Sequence, residues 1–478
     1  MATTAGAKKG LWSTIRRIAA SDRISGLIML GFALTGLVLA NLPATAHAFE
    51  TVAETHLFIP YTNLDLPIGH WAQDGLLTIF FLTVGLELKQ ELTTGSLANP
   101  KAAAVPMLCA VGGMIAPPIL FLAVTALFSQ IGPGEPGTLI LTTTGSSIPF
   151  SEMSHGWAVP TATDIAFSLA VLALFAKALP GSIRAFLMTL ATVDDLLAII
   201  LIAVFFSSIN AWYWFIGIAV CAAIWAYLVR LKKVPWIAVG IVGILAWIMM
   251  FEAGVHPTLA GVLVGLLTPS REMHGELSPR AERYANKLQP FSALLALPIF
   301  ALFATGVHFE SVSPLLLVSP LVIALIVALV VGKPLGIITT AWLATHVGGL
   351  KMAKGLRVRD MIPAAVACGI GFTVSFLIAS LAYKNAELSA EARFGVLVAS
   401  LIAAAISGVL LSRQSKRFEK AAAAQAAAAE VLADAEAGES IDGNGAGQTG
   451  RTTKSTTPTE HPGTLADGTA SVEIDFRH

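Results

Sequence analysis

Long, continuous apolar runs occupy the chain from about residue 24 to residue 412. Hydrophobic residues make up 55% of the 478 residues and charged residues only 13%, whereas a soluble domain carries about 25% charged residues. A bilayer accepts only helices and closed barrels, because every backbone polar group must be satisfied internally. Since the runs are continuous rather than alternating, they favour helices. The sequence therefore predicts an all-α polytopic membrane protein.

Hydropathy predicts about twelve membrane-spanning helices. The eighth run is too short to cross a bilayer comfortably, and the tenth is long enough to bend or break at Gly332-Lys333-Pro334. The predicted spans lie near residues 24–42, 70–90, 102–128, 157–176, 182–206, 212–230, 234–252, 256–268, 290–308, 314–346, 358–383 and 392–412.

Composition divides the chain into three regions. Residues 1–22 are polar and basic and are expected to be a cytoplasmic segment, followed by a transmembrane domain over 23–412. Residues 413–478 are expected to form a cytoplasmic tail, with an Ala-rich helical stretch at 421–436. The rest of this tail is rich in Gly, Thr, Ser and Asp, which favours disorder.

Lysine and arginine residues are concentrated in every second loop between the predicted spans. Lys384 and Arg393 are the exceptions on the side of the loops after odd-numbered spans. The other loops on that side, such as 43–69 and 129–156, contain neither lysine nor arginine. By the positive-inside rule, both termini are expected on the cytoplasmic side of the membrane. The loop at 129–156 is rich in Gly, Pro, Ser and Thr and is expected to hold a small hairpin.

Three aspartates, Asp164, Asp194 and Asp195, lie inside predicted spans. A carboxylate at the bilayer centre costs about 3 kcal/mol on insertion scales, so such residues indicate a cation or proton pathway. Lys333 lies in another apolar run and is the expected charge partner. A carboxylate there binds a bare cation or a proton but not both tightly, and this competition is the minimum that ion exchange needs.

The fourth and eleventh spans carry small and hydroxyl residues, where a membrane helix can unwind around a cavity. Helix ends formed there carry partial charges, positive at N-termini and negative at C-termini. We expect Asp164 to offset positive ends and Lys333 to offset negative ends. Thr163 either supplies a hydroxyl near the ion or only bends its helix.

The remaining acidic residues and one histidine are open to both a functional and a structural interpretation. Glu87 and Glu91, one helical turn apart, either draw cations into a cytoplasmic mouth or form an ordinary solvated helix end. His256, beside Glu252 at the outer boundary, either senses pH or is a hydrogen-bonded structural histidine. Asp74, near the outer end of the second span, is interpreted as interfacial.

Other functional classes lack their signatures. No Walker, Rossmann or zinc-ligand spacing occurs, so neither a cofactor nor a nucleic-acid partner is expected. Cys109, Cys221 and Cys368 have no paired spacing and are expected to pack as apolar residues. An intramembrane aspartyl protease needs Gly-Xaa-Gly-Asp, which is absent. An exporter of organic cations needs a larger, aromatic-lined cavity than the small aliphatic neighbours of the aspartates would form.

Six motifs, in their order along residues 20–412, resemble those of the NhaA-type Na+/H+ antiporter family. Each is weak alone, but together they are very specific. They are FLTVGLE (81–87), ATDIAF (162–167), VDDL (193–196), GVH (254–256), GKPLG (332–336) and GIGFT (369–373).

The resemblance implies twelve helices with inverted repeats and crossed, broken fourth and eleventh helices. It also implies electrogenic export of Na+ or Li+, driven by inward protons and activated at alkaline pH. Asp194 and Asp195 would bind the ion and the protons, Asp195 most directly. Lys333 would pair with Asp194, and Asp164 with Thr163 would support the site.

Two segments depart from the better-known enteric members. The inside loop 270–289 lacks their Glu/His-rich pattern and has Asn286, Lys287 and Gln289 in its place. The resemblance therefore does not imply a pH sensor in this loop. In the family the first outer loop forms a hairpin that supports dimer contacts. Here residues 43–69 carry no Asn-Gly or Asp-Gly turn signal, which makes a homodimer a weaker expectation than transport.

Overall fold

The fold is a bundle of helices, seen in a computed structural model that describes residues 18–19, 21–58, 64–132, 135–141, 145–176, 179–306, 314–352 and 356–442. In chain order the α-helices are α1 (Asp22–Asn41), α2 (Ala46–Glu54), α3 (Ile68–Trp71), α4 (Leu77–Thr93), α5 (Pro100–Ile131), α6 (Phe150–Ser154), α7 (Ile165–Phe175), α8 (Gly181–Phe205), α9 (Trp214–Leu228), α10 (Trp236–Glu252), α11 (Leu259–Leu267), α12 (Arg280–Phe291), α13 (Leu297–Thr305), α14 (Pro320–Ile326), α15 (Lys333–His346), α16 (Ile362–Ala367), α17 (Phe372–Ala382) and α18 (Ala386–Asp442).

Six described helical stretches are long and apolar enough to cross a membrane. They are Arg23–Asn41, Ala103–Ile131, Gly181–Phe205, Arg280–Thr305, Pro320–His346 and Ala386–Ala429. Counting each of two sharply bent pairs as one span raises the number to eight. The protein is therefore a polytopic helical membrane protein, as the apolar runs predicted. The predicted sixth and seventh spans coincide with the shorter apolar helices α9 and α10, of 15 and 17 residues.

The two bent pairs lie where the sequence predicted interruptions. Phe150–Thr161 and Ile165–Phe175 meet at 50°, and Val358–Ala367 and Phe372–Ala382 meet at 58°. The segments on the N-terminal side of each break include 3-10 turns, His155–Thr161 and Val358–Met361. Each break leaves backbone N–H and carbonyl groups in the interior of the protein without hydrogen-bond partners in their own helix.

The tenth span is distorted rather than broken. A π-helical segment, Val327–Gly332, joins α14 to α15, and Pro320–His346 remains one continuous stretch. Pro334 has no N–H and its ring crowds the preceding turn, and a wider π turn accommodates both effects. Further π segments occur at Ala72–Leu76 and Ser292–Ala296.

The ninth span begins earlier than predicted. Hydropathy placed residues 270–289 in a loop, yet α12 starts at Arg280, because hydropathy detects only the apolar part of a helix. Arg280 is fully buried and donates to the carbonyls of Val229 and Leu231, both at 2.7 Å. Its hydrogen bonds to Glu276, assisted by Arg283, hold the pKa of that carboxyl below its usual range.

Two hairpins lie outside the helices. Thr138–Ile140 pairs antiparallel with Ser147–Pro149, which confirms the hairpin expected within 129–156. His56–Phe58 pairs with Asp65–Pro67, a hairpin that the sequence did not indicate. The Asn-Gly signal identifies two-residue turns, whereas these strands are joined through residues 59–64.

Close helix packing positions α15. Helices α5 and α15 lie against each other, and a Cβ built on Gly336 would be 2.2 Å from the carbonyl oxygen of Gly112. Only glycine permits this approach, which fixes the height and rotation of Lys333 at the start of α15.

The chain divides into two compact units, Met1–Lys420 and Ala421–His478. Helix α18 continues through the Ala-rich stretch to Asp442, while the rest of the expected tail lies outside the described residues. The three-region division made from composition stays a prediction.

Candidate ion-binding site at two broken helices

The two helix breaks are joined by hydrogen bonds between them. The Asp164 N–H donates to the carbonyl of Ile370 at 2.7 Å, and the Thr163 hydroxyl donates to the carbonyl of Cys368 at 2.8 Å. The Ser168 hydroxyl donates to the carbonyl of Ala367 at 2.8 Å. Backbone groups freed by one break are thus satisfied by the other, which an apolar environment requires.

Asp164 lies at the N-termini of two half-helices. It is the N-cap of α7, where its Oδ1 accepts the N–H of Phe167 at 2.9 Å. Its Oδ2 accepts the hydroxyl of Thr373 at 2.8 Å and the Thr373 N–H at 3.2 Å, in the first turn of α17. The carboxylate therefore faces the positive ends of both helices. Sequence reasoning placed Asp164 at such ends but missed Thr373, although GIGFT marked its segment.

Lys333 is fully buried and faces the opposite kind of helix end. Its Nζ lies 2.7 Å from Asp194 Oδ2, and Asp194 is 2% exposed. Nζ also donates to the carbonyl of Thr161, the last residue of the 3-10 segment before the fourth-span break. One ammonium group thus neutralises a carboxylate and a carbonyl end together.

Asp195 differs from its neighbour. It is buried, at 7% exposed, on α8. Within the described residues its carboxylate forms neither a hydrogen bond nor an ion pair, and the charged groups that act on it are Asp194, Asp164, Lys333 and Glu87. A buried carboxylate whose oxygens lack protein donors can accept a proton or coordinate a small cation.

The two glutamates of the second span have different surroundings. Glu91 accepts both the N–H and the hydroxyl of Ser96 at 2.8 Å, which fixes its carboxylate to the turn after α4. Glu87 is exposed, and its charge acts on Asp195. Of the pair, Glu87 is thus the residue electrostatically connected to the buried site.

His256 contacts Asp74, which the sequence analysis interpreted as an interfacial residue. Its Nε2 lies 3.5 Å from Asp74 Oδ1, and its Nδ1 lies 2.7 Å from the hydroxyl of Thr258. Asp74 belongs to the π segment before α4, and α4 packs on α11. The N-terminal ends of the second and eighth predicted spans therefore meet, which the hydropathy of single spans cannot reveal. Glu252 is half-buried at the end of α10.

No cluster of three or more His, Cys, Asp or Glu side chains able to hold a metal ion occurs among the described residues. The three cysteines are free and buried, as expected from their apolar surroundings.

Comparison with known proteins gives a consistent result over most of the chain. The family model described as Na+/H+ antiporter 1 matches residues 16–145 and 138–411. The Na(+)/H(+) antiporter NhaA of Bifidobacterium longum is 96% identical over 478 residues, covering 100% of both chains. The NhaA of Bifidobacterium breve is 86% identical over 477 residues, again covering 100% of both. NhaA 3 of Streptomyces coelicolor is 38% identical over 400 residues, covering 83% of this chain and 80% of that protein.

Proposed function

The chain belongs to the Na+/H+ antiporter 1 family, and from this premise we propose that it exports cytoplasmic Na+ or Li+ in exchange for external H+. It is a secondary transporter and not an enzyme, and Na+ and H+ are its cargo rather than resident cofactors. The observation that carries the site assignment is the contrast between two adjacent aspartates. Asp194 is paired with Lys333, whereas Asp195 is buried and receives no hydrogen bond from any residue that the structure describes.

Exchange follows from competition at Asp195. In the ionised form its oxygens bind a bare Na+ or Li+, and in the protonated form they do not. Because one carboxylate holds one or the other, cation release and proton uptake are coupled. Electrogenic exchange requires more protons than cations in each cycle.

Asp164 and Thr163 support this site. Asp164 holds the N-terminal ends of α7 and α17 together. The hydroxyl of Thr163 donates to the carbonyl of Cys368 at the break of the eleventh span. The rings of Phe167 and Phe372 also pack between α7 and α17, with centroids 5.5 Å apart, so we take a shift of the two half-helices relative to each other as the conformational step. Such a shift would expose Asp195 to one side of the membrane and then to the other.

The membrane arrangement is part of the proposal. Twelve helices with inverted repeats, both termini in the cytoplasm and residence in the bacterial inner membrane are supported by two similar broken helices and by loop charge asymmetry. In this orientation Glu87 and Glu91 lie at the cytoplasmic mouth, and His256 with Glu252 lies near the outer boundary. A homodimer would place the outer hairpin His56–Phe58 and Asp65–Pro67 between protomers.

The test is exchange by the Asp195→Asn variant in everted membrane vesicles. A pH gradient is imposed, and a pH-sensitive dye reports dequenching on addition of Na+, Li+ or K+. The wild type should respond to Na+ and Li+, increasingly toward alkaline pH. Asp195→Asn should give no response although it inserts normally, because an amide neither ionises nor binds the cation as a carboxylate does.

Asp65→Asn is the matched control, since Asp65 is an exposed aspartate of the outer hairpin. It should retain exchange. Normal exchange by Asp195→Asn would refute the proposed site, and a wild type that responds to no cation would refute the proposed activity.

A further inference from the structure

A cavity of about 510 Å³ opens at the end of the bundle that we assign to the outside. Its walls come from the start of the second span, the junction of α10 with α11, the end of α17 and the start of α18. The titratable side chains that line it are His70, Asp74, His256, Tyr383, Lys384 and Arg393.

The side chains that line this cavity carry more positive than negative charge, and two carboxylates outside the lining, Glu152 and Glu391, act on Tyr383. Lys384 and Arg393 provide two cations, against the single carboxylate of Asp74, which already lies 3.5 Å from His256 Nε2. Histidines are largely neutral at alkaline pH. Glu387, the carboxylate nearest to Lys384 in the sequence, is not part of the lining.

Neither cation forms an ion pair with a carboxylate within the described residues. Arg393 donates from Nε to the carbonyl of Ser389 and from Nη1 to the carbonyl of Ala304, both at 3.3 Å. These contacts fix the guanidinium without cancelling its charge. Lys384 is exposed and lies two residues after the end of α17. They are also the two basic residues that the sequence placed on the outer side, against the positive-inside pattern.

We propose that Lys384 and Arg393 maintain a positive potential in the outer cavity that repels external Na+ and favours cation release over rebinding. The inference rests on the proposed function and concerns its outer half-reaction. Fixed charges change the local concentration of a small ion by a Boltzmann factor. They leave the Na+ ratio reached at equilibrium unchanged, because the proton gradient and the membrane potential determine it, but they raise the external Na+ concentration needed for half-saturation.

The test compares variants of Lys384 in right-side-out vesicles, where added Na+ meets only the outer face. Reverse exchange is followed with a pH dye trapped inside. Lys384→Gln should lower the Na+ concentration for half-maximal exchange about two- to fourfold, the effect of one unit charge about 10 Å away in a wet cavity. Lys384→Glu should lower it further, and Lys384→Arg should match the wild type. Added choline chloride should reduce these differences.

Everted vesicles provide the control for sidedness, since Na+ then enters from the cytoplasmic face and all four proteins should show the same half-saturation. Lys351→Gln, which removes an exposed lysine on the predicted cytoplasmic side, should leave the external half-saturation unchanged. Equal external half-saturation for Gln, Glu and Arg at position 384, in vesicles that exchange normally, would overturn the inference while leaving the antiporter assignment intact. Absence of exchange in the wild type on both faces would instead overturn the proposed function, and this inference with it.

Discussion

Lys333 shows how a single residue joins the fold to the candidate site. Its ammonium group contacts Asp194 Oδ2 and the carbonyl of Thr161, and all three groups are buried. Replacing Lys333 with Ala leaves a carboxylate and a helix-end carbonyl without a donor. We expect the free energy of unfolding to fall by about 3–5 kcal/mol, measured as a lower thermal midpoint of purified protein in detergent.

A double-mutant cycle isolates the pair. Asp194→Ala combined with Lys333→Ala should cost less than the sum of the two single changes, because no unpaired charge remains. Lys351→Ala, at an exposed position, should leave the midpoint unchanged. An unaltered melting profile for Lys333→Ala would contradict the pairing.

The charged residues of this site were predictable because charge inside an apolar run is conspicuous. Asp164, Asp194, Asp195 and Lys333 could all be identified that way. Their opposite charges indicated that Lys333 would meet an aspartate, and the family resemblance indicated Asp194. The carbonyl of Cys368 could not be identified, because a backbone oxygen carries no sequence signal until its helix is known to break. The contact between His256 and Asp74 likewise depends on which spans are neighbours.

At the scale of helices, the contact between α5 and α15 fixes where Lys333 stands. A Cβ on Gly336 would lie 2.2 Å from the Gly112 oxygen and 2.8 Å from the Cβ of Ala116. Gly336→Ala must therefore separate the helices, and overpacking of this kind costs about 1–3 kcal/mol. We expect a lower thermal midpoint together with slower exchange, because Lys333 lies one turn from the displaced contact.

Gly240→Ala is the matched control, since a Cβ at that position of α10 meets no atom within 4 Å. It should preserve both stability and exchange. If Gly336→Ala kept the wild-type midpoint, the close approach of α5 and α15 would be wrong.

Helices were predictable where the apolar signal extends over a full span, as in α1, α5 and α8. The polar start of α12 and the π segment before Lys333 were missed for a common reason. Hydropathy reports which residues prefer the membrane, whereas a helix end or a change of helical pitch depends on hydrogen bonds to neighbouring elements.

At the scale of the whole molecule, the candidate ion-binding site lies within the first compact unit, Met1–Lys420. Every candidate ion-binding residue precedes Lys420, and the side chains described beyond it, 421–429, are all exposed. A chain ended after Lys420 should therefore insert, melt and exchange Na+ for H+ as the full chain does, measured in everted vesicles and by thermal unfolding in detergent.

A chain ended after Ile406 provides the contrast. It loses the fully buried Leu411, the hydroxyl of Ser407 that donates to the carbonyl of Pro363 at 3.0 Å, and the Gln414 amide that donates to the carbonyl of Asp360 at 2.7 Å. These contacts hold α18 against the first half of the broken eleventh span, so the shorter chain should fail to accumulate. Loss of exchange in a correctly inserted chain ended after Lys420 would instead show that residues 421–478 act in transport. Retained exchange would confine the whole ion pathway to the membrane domain.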